Sequence, residues 1–308
     1  MLLPLLLQAA LLTQAPQEKL YDDAFWKRWS DSNAELSGYE LTVSRYGVPR
    51  KGTAVTAFVT ESCSASRRVV LPAGSKDKSD QYQVIKLNLV QDFSTGLYDY
   101  NLMTSAFVTL ESANGRAAGS PAKISFTSQE WKGQIFSQLL LDERSARLQT
   151  NSYFDGEGDE ARTLEVPADA LAEDALLLWA RGLAAPLVAS GQSASVPCLL
   201  SLERTRLQRL PTTVATVQLA RAKERERLKV PGGEFEVEWA SATIENGPVW
   251  RFAVETEGQR RVIVWEANDG RRAELLGSHR LRYWELNGPG GENALAKIGL
   301  SPRAARTP

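Results

Sequence analysis

The chain alternates apolar and acidic side chains most regularly over Glu234-Phe235-Glu236-Val237-Glu238-Trp239. The same period of two returns over Trp250-Arg251-Phe252-Ala253-Val254-Glu255, after the turn sequence Glu245-Asn246-Gly247. Successive side chains of a β-strand point to opposite faces of the sheet. This alternation therefore predicts two strands that each have one buried face and one face in water.

Residues 260–266 and 271–276 continue the pattern, and they are joined by Asn268-Asp269-Gly270. An Asp-Gly step between two apolar runs is typical of a tight hairpin turn. Four consecutive strands joined by short turns indicate an antiparallel meander.

Shorter β-like runs precede this meander and are separated by turns that contain Gly, Ser or Asn. They cover residues 39–44, 54–60, 85–90, 103–110, 122–127 and 135–141. Residues 167–181 are predicted to form a helix, because Pro167 suits a first turn and Gly182 suits a stop. Asp169 would lie favourably near the positive end of that helix. Residues 21–29 place aromatic side chains at helical spacing and predict a short N-terminal helix.

Many short strands without alternating helices predict a mainly β protein, built as an antiparallel open barrel or sandwich. The predicted central helix would plug or flank its concave side. We expect a single domain over residues 17–286 and a flexible tail over residues 287–308.

An apolar run covers residues 2–15 and predicts a signal peptide over residues 1–15. Thr13 and Ala15 offer a small-x-small cleavage site, although a basic n-region is missing and Pro16 is unfavourable after the site. The alternatives are a leucine-rich core helix or a misassigned start. Export would place the protein in the periplasm or outside the cell. No later segment approaches the roughly 18 apolar residues of a membrane helix, so we expect no transmembrane segment in the mature chain.

The charges and the cysteines narrow the function classes further. Lys and Arg total 36 against 37 Asp and Glu, so no net field would attract nucleic acid, and no nucleic-acid partner is expected. Cys63 and Cys198 could form one disulfide in an oxidising compartment, or they could be two unrelated buried thiols.

The second half of the chain carries a recognisable order of motifs, in which the predicted helix precedes Val230-Pro231-Gly232-Gly233-Glu234-Phe235 and a strand ending at Trp250. This order resembles an exported bacterial family of unknown function, in which a short helix precedes a V-P-x-G-x-F strand and a run of hairpins. Residues 45–47 and 86–100 look like members of that family from environmental bacteria. The resemblance covers about residues 38–284. It implies an envelope location and an open β-barrel-like fold, and it brings no activity and no catalytic residue.

Candidate catalytic groups are few. His279 is the only histidine, and its position among arginines after a predicted strand favours a surface residue over a catalytic one. Ser120 and Lys123 have the Ser-x-x-Lys spacing of acyl-serine enzymes, but Pro121 disfavours the helix that this chemistry needs. We therefore assign no catalytic residue.

Two charged segments could bind ions, but a solvent-exposed turn, strand or loop explains each of them more simply. Residues 155–160 hold four carboxylates that could bind calcium, but they lack the EF-hand pattern and are better explained as a hairpin turn. Residues 221–229 mix Arg and Lys with Glu, which favours a solvated strand or loop over a phosphate site. We therefore expect neither a metal nor a cofactor.

The block Asp92–Asn101 has more polar and aromatic side chains than a plain turn needs. We predict that it contributes a ligand-binding site formed by Asp92, Phe93, Tyr98, Asp99, Tyr100 and Asn101.

Scarce catalytic residue types and abundant aromatic residues favour a non-enzymatic envelope protein. Its concave β face would bind an apolar or amphipathic molecule, or an envelope protein. One alternative is a hydrolase that cleaves envelope polysaccharide with two carboxylates. The other is a scaffold that contacts partners through its sheet edges.

Overall fold

The computed structural model describes residues 20–72, 74–75 and 77–302. Within these ranges fifteen strands form one sheet. In chain order the strands are β1 (Ala34–Arg45), β2 (Val48–Ser64), β3 (Gln81–Ser94), β4 (Asp99–Thr109), β5 (Pro121–Glu130), β6 (Gly133–Leu141), β7 (Ser145–Ser152), β8 (Glu160–Glu165), β9 (Leu171–Ala172), β10 (Ser193–Leu199), β11 (Val214–Val230), β12 (Gly233–Ile244), β13 (Val249–Glu255), β14 (Val262–Ala267) and β15 (Arg272–Leu281).

The sheet consists of two meanders that meet at the pair formed by β1 and β15, where Ala34 lies opposite Leu281. One meander runs outward from β1 to β8, and the other runs outward from β15 to β9. Neighbouring strands are antiparallel, except that β9 is parallel to β10. The mainly β, antiparallel prediction is confirmed, and the sheet is open because β8 and β9 remain its two edges.

Several strands had no clear signal in the sequence. The strands β7, β8 and β10 have few buried side chains, so the alternation that marks the other strands is weak there. The charged run 221–229 lies within β11, where its side chains are mostly exposed.

The helices are short. They are α1 (Asp23–Trp29), α2 (Leu176–Ala180) and α3 (Leu202–Gln208). The prediction of an N-terminal helix agrees with α1, in which Asp22 accepts a hydrogen bond from the Phe25 backbone amide at 2.8 Å. Phe25 and Trp29 are buried against the sheet.

The central helix is much shorter than the predicted 167–181. Leu171 and Ala172 form β9 and pair with Cys198 and Leu199, and residues 173–175 form a 3-10 turn before α2 begins. The prediction for residues 167–175 was wrong because pairing with β10 fixes an extended backbone there, which overrides the local helix signals. Asp169 consequently caps no helix.

The concave side of the sheet is filled by this central segment. The residues of α2 are buried, and they belong to one apolar cluster that includes side chains from both meanders, such as Leu87 and Phe252. The apolar face predicted for Trp250, Phe252 and Val254 therefore belongs to this cluster.

The faces predicted for residues 234–239 are wrong at two positions. Glu238 is buried, where Arg221 neutralises it, and Trp239 is only half-buried, with its indole donating to Glu226.

Buried arginines hold the irregular parts of the central segment in place. Arg116 donates to the carbonyl oxygens of Pro167 at 3.4 Å and Ala170 at 2.9 Å. Arg221 donates to the carbonyl oxygens of Trp179 at 3.2 Å and Ala180 at 2.7 Å. The Pro167 and Trp179 carbonyl groups also accept from backbone amides. Because buried carbonyl groups need hydrogen-bond donors, the guanidinium groups at Ala170 and Ala180 replace the partners that a longer helix would have supplied.

The predicted tail contains a 3-10 helix, Gly291–Ile298, with Ile298 buried against the sheet. This close approach depends on glycine, because a Cβ atom at Gly38 would lie 2.3 Å from the Ile298 carbonyl oxygen. A Cβ atom at Gly277 would lie 2.9 Å from the Ile298 carbonyl carbon. Residues 303–308 of the predicted tail and the predicted signal peptide, residues 1–15, lie outside the described residues.

Two further features bear on the sequence predictions. In the described part of the chain, no helix combines the length and the apolar character needed to cross a bilayer.

Cys63 and Cys198 are both buried free thiols, which matches the second of the two alternatives for these cysteines.

We expect Arg116→Met to lower the free energy of unfolding by about 1–3 kcal/mol, because it removes the guanidinium group that donates to the buried Ala170 carbonyl group. Urea denaturation measures this change. Arg225→Met is the control, since Arg225 is exposed and its ion pair with Glu236 should contribute less than about 1 kcal/mol. Equal effects of the two substitutions would contradict this account of the buried arginines.

Candidate functional site

Alternate hairpin turns lie at the same end of the sheet because the strands are antiparallel. The turns that join β1 to β2, β3 to β4, β5 to β6 and β7 to β8 share one end, which we call the turn end. The turn between β14 and β15 lies there too, since Thr42 near the end of β1 pairs with Arg272 at the start of β15.

The six residues predicted as a site lie on the β3–β4 hairpin at the turn end, and the structure divides them between its faces. Phe93 and Tyr100 are buried and stacked, with ring centroids 4.9 Å apart. Asp92 and Asn101 pair on the other face, where the Asn101 side chain donates to the Asp92 carboxylate. Asp99 is exposed at the start of β4, and Tyr98 lies in the turn.

Tyr98 and Tyr100 join residues from neighbouring hairpins in an aromatic cluster at the turn end, formed by Tyr46, Tyr98, Tyr100, Trp131, Arg45 and Lys132. The Tyr98 and Trp131 rings are 6.5 Å apart, and the Lys132 ammonium lies 5.6 Å from the Tyr98 ring centre. Arg45 lies 4.5 Å from the Tyr46 ring centre. Sequence reasoning did not assign Tyr46, Trp131, Arg45 or Lys132 to the site, because strand pairing alone brings these turns together.

The hydroxyl groups of this cluster form a chain of hydrogen bonds. Arg45 donates to the Tyr100 hydroxyl at 3.2 Å, and the Tyr100 and Tyr46 hydroxyl oxygens are 2.8 Å apart. The Tyr46 hydroxyl also lies 3.5 Å from that of Tyr98. Hydrogen bonding from Tyr46, and then from Thr95, lowers the pKa of Tyr98 to about 8, whereas burial raises the pKa of Tyr100 above its usual range.

Large apolar side chains project from the same turns. The exposed fraction is 56% for Tyr46, 81% for Leu97, 66% for Trp131 and 74% for Tyr153. Adjacent strands are about 4.8 Å apart, so successive turns at this end are separated by roughly 10 Å, and the row extends for roughly 30 Å. Exposed apolar side chains are ordinary when they are scattered, but a contiguous row of them is typical of an interaction surface.

A second candidate lies inside the concavity, where a cavity of about 50 Å³ separates β3 and β4 from β13 and β14. Its lining includes carboxylates, an arginine, hydroxyl groups and aromatic rings, namely Glu173, Asp174, Glu203, Arg271, Ser201, Thr104, Trp250, Phe252 and Trp265. A space of this size holds a few water molecules, whereas pockets for drug-sized ligands measure about 300–1,000 Å³.

Each carboxylate oxygen that lines this cavity accepts a hydrogen bond. Glu173 accepts from Arg204 at 2.8 Å and from the Trp250 indole at 3.0 Å. Glu203 accepts from Arg271 at 3.1 Å and from Gln91 at 2.6 Å.

Asp174, the third carboxylate of the cavity, accepts from the Ser201 hydroxyl at 2.6 Å and from the Leu202 backbone amide at 3.0 Å. Burial raises the pKa of Asp174 to about 7, against the opposing effect of these hydrogen bonds. A carboxylic acid that titrates near neutrality can exchange a proton, but the cavity has no room for a sugar ring beside it.

Among the described residues, the other candidate groups named from the sequence do not come together in a catalytic or metal-binding site. His279 is exposed on β15. Lys123 lies on β5, where its ammonium donates to the Arg68 carbonyl oxygen at 3.2 Å. Residues 155–159 form part of an exposed turn, and among the residues that the structure describes no three His, Cys, Asp or Glu side chains are grouped to hold a metal ion.

Comparison with known proteins returned no matching family model, no similar curated protein and no similar solved structure. The resemblance to an exported bacterial family therefore stays an expectation from the sequence.

We expect a tyrosine to titrate with a pKa of about 8, seen as phenolate absorbance in an ultraviolet pH titration. Tyr98→Phe should abolish this step. Tyr46→Phe should move it to higher pH, because the hydrogen bond that stabilises the phenolate is lost. Tyr153→Phe, which removes an exposed tyrosine of another turn, should leave the step in place; a step that survives Tyr98→Phe would contradict the assignment.

We also expect Asp174 to make the fold less stable as pH rises. Its folded pKa of about 7 lies above the ordinary value of 3.8, so its contribution is fully present below about pH 4 and is lost as pH rises through about 7. Between pH 5 and pH 8 the wild type should lose about 2–3 kcal/mol relative to Asp174→Asn, measured by urea denaturation. If the free energies of unfolding of the two proteins changed equally with pH, the pKa of Asp174 would not be raised in the folded protein.

Proposed function

We propose that this protein is a non-catalytic envelope protein that binds amphipathic lipid at its turn end. The row of exposed apolar side chains on successive turns, from Tyr46 through Leu97 and Trp131 to Tyr153, is the observation that supports this function. Tryptophan and tyrosine concentrate at membrane interfaces, where the ring enters the apolar region and the polar group stays hydrated.

The filled interior favours the turn end over the concave face as the binding surface. The concave face packs on α2, and its cavity of about 50 Å³ is far smaller than an acyl chain requires. The ligand that we expected on the concave face is therefore assigned to the turns. Amphipathic lipid remains within the class of partners that the sequence favours, and a surface site fits a protein that meets lipid in a bilayer.

The charges at the turn end favour zwitterionic lipid. Lys132 and Arg45 lie beside the aromatic rings and suit a lipid phosphate. The β7–β8 turn, which carries Tyr153, adds the acidic residues 155, 157 and 159, and these would be repelled by a strongly anionic surface. On an anionic membrane, the attraction of Lys132 and Arg45 is opposed by the repulsion of the acidic turn. A zwitterionic phosphocholine surface is therefore the better match.

Burial of exposed apolar side chains supplies the free energy of binding. Fully burying one Leu or Phe side chain stabilises by about 1.5–3 kcal/mol, so a few partly inserted side chains supply several kcal/mol before the costs of association. This magnitude predicts reversible binding, as for a peripheral protein.

Flotation with phosphocholine vesicles tests this proposal. We expect the wild type to float with the vesicles, and the double variant Leu97→Ser, Trp131→Ser to lose at least about tenfold in partitioning, since it removes two highly exposed apolar side chains of the turn end. Vesicles that also contain anionic lipid should bind no better at low salt.

The matched control is the double variant Trp26→Ser, Leu286→Ser, which removes an exposed Trp and an exposed Leu near the opposite end of the sheet. It should float as the wild type does. The proposal would fail if the wild type stayed in the soluble fraction, or if both double variants lost binding equally.

A further inference from the structure

The interior cavity contains buried polar atoms that have no partner among the described residues. Trp265 and Thr104 both line the cavity, and the Trp265 indole nitrogen and the Thr104 hydroxyl oxygen are buried without a hydrogen bond, the residues being only 2% and 3% exposed. A buried donor or acceptor left unpaired costs about 1–3 kcal/mol. Two such atoms on one small cavity indicate that something polar occupies it.

Counting the residues that the structure describes, one carboxylate of the cavity forms no ion pair. Arg204 forms an ion pair with Glu173 at 2.8 Å, and Arg271 forms one with Glu203 at 3.1 Å. Within the described part of the chain, Asp174 accepts hydrogen bonds from a hydroxyl group and a backbone amide, both of which are neutral donors. The ionised cluster therefore has an excess of one negative charge, located at Asp174.

Aromatic rings form one wall of the same cavity. Trp250 stacks on Phe252 with centroids 6.3 Å apart and lies 6.4 Å from Trp265. The faces of such rings attract organic cations, and the attraction strengthens where water is excluded.

We propose that this cavity binds a small organic cation, a primary alkylammonium that also carries a hydroxyl group. The ammonium donates to the Asp174 carboxylate and contacts the aromatic wall, and the Trp265 indole donates to the ligand's hydroxyl oxygen. Thr104 provides a second hydrogen-bonding group for the same hydroxyl. A volume of about 50 Å³ limits the ligand to a few heavy atoms. This site is independent of the lipid-binding surface at the turn end.

The proposed site should bind more weakly in acid. The charged and titratable groups around Asp174 are Glu173 beside it, Glu203 and Arg204 on α3, Arg271 at the β14–β15 turn and Cys198 on β10. Glu173 and Glu203 keep their guanidinium partners, so Asp174 is the group whose protonation competes with the cation. Since burial raises its pKa to about 7, affinity should fall about thirtyfold between pH 8 and pH 5.5.

Calorimetric titration of the full chain with ethanolamine, which is protonated at both pH values, tests the site. We expect saturable binding at one site at pH 8 and weaker binding at pH 5.5. Ethylene glycol matches the probe in size but has no charge, and it should bind at least about tenfold more weakly.

Two variants locate the site. Asp174→Asn keeps the hydrogen-bonding shape of the side chain and should weaken ethanolamine binding at pH 8 at least about tenfold, while Trp265→Phe removes the indole donor and should weaken it less. Asp155→Asn, in the exposed β7–β8 turn, is the control and should bind as the wild type does. Urea denaturation of each variant separates loss of binding from loss of folding.

Three results would overturn the proposal. They are no saturable binding of ethanolamine by the folded wild type, equal binding of ethylene glycol, and full binding by folded Asp174→Asn. The first would assign the cavity to water molecules alone, and the others would remove the role of the carboxylate. None of these results bears on flotation with vesicles, so this proposal and the proposed function can fail separately.

Discussion

A strongly curved sheet with two free edges must cover its concave face with another part of its own chain. Here the cover is a mostly irregular segment, and irregular backbone brings carbonyl groups into an apolar interior where each needs a donor. Arg116, in the connection between β4 and β5, and Arg221, on β11, donate to carbonyl groups of this segment. In the opposite direction, Arg181 of the central segment donates to the carbonyl oxygens of Gln259 and Arg260. The sheet and its filling therefore depend on guanidinium groups that are themselves buried.

This way of filling the concavity determines where binding can take place. Because α2 and its flanking turns occupy the interior, the cavity beside β13 and β14 is small, and both aromatic rings and charged side chains line it. The turn end lies outside the filled interior. Its hairpin turns can therefore carry exposed side chains that take no part in the core. The row of exposed apolar side chains on the turns and the small size of the central cavity are thus two consequences of the same architecture.

The sequence predicts strands such as β13, where Trp250, Phe252 and Val254 alternate with other residues and are buried. In β12 it predicts the strand but not its faces, because Arg221 and Arg260 neutralise Glu238 and allow its burial. It fails where both faces are largely exposed, as in β8, and where distant pairing overrides local helix signals, as in residues 167–175. Of the predicted site, Tyr98 and Tyr100 do lie in the aromatic cluster, but Trp131 belongs to another hairpin. Only strand pairing places Trp131 there, and that pairing has no local signature.

The depth of a spin label on the β3–β4 turn tests the central claim most directly, which is that the turn end enters a lipid interface. A nitroxide on Leu97→Cys can be attached selectively because Cys63 and Cys198 are buried. With phosphocholine vesicles, power saturation should show this label within the acyl region and a label on Trp26→Cys in water. Equal exposure of the two labels to water in the presence of vesicles would contradict the account.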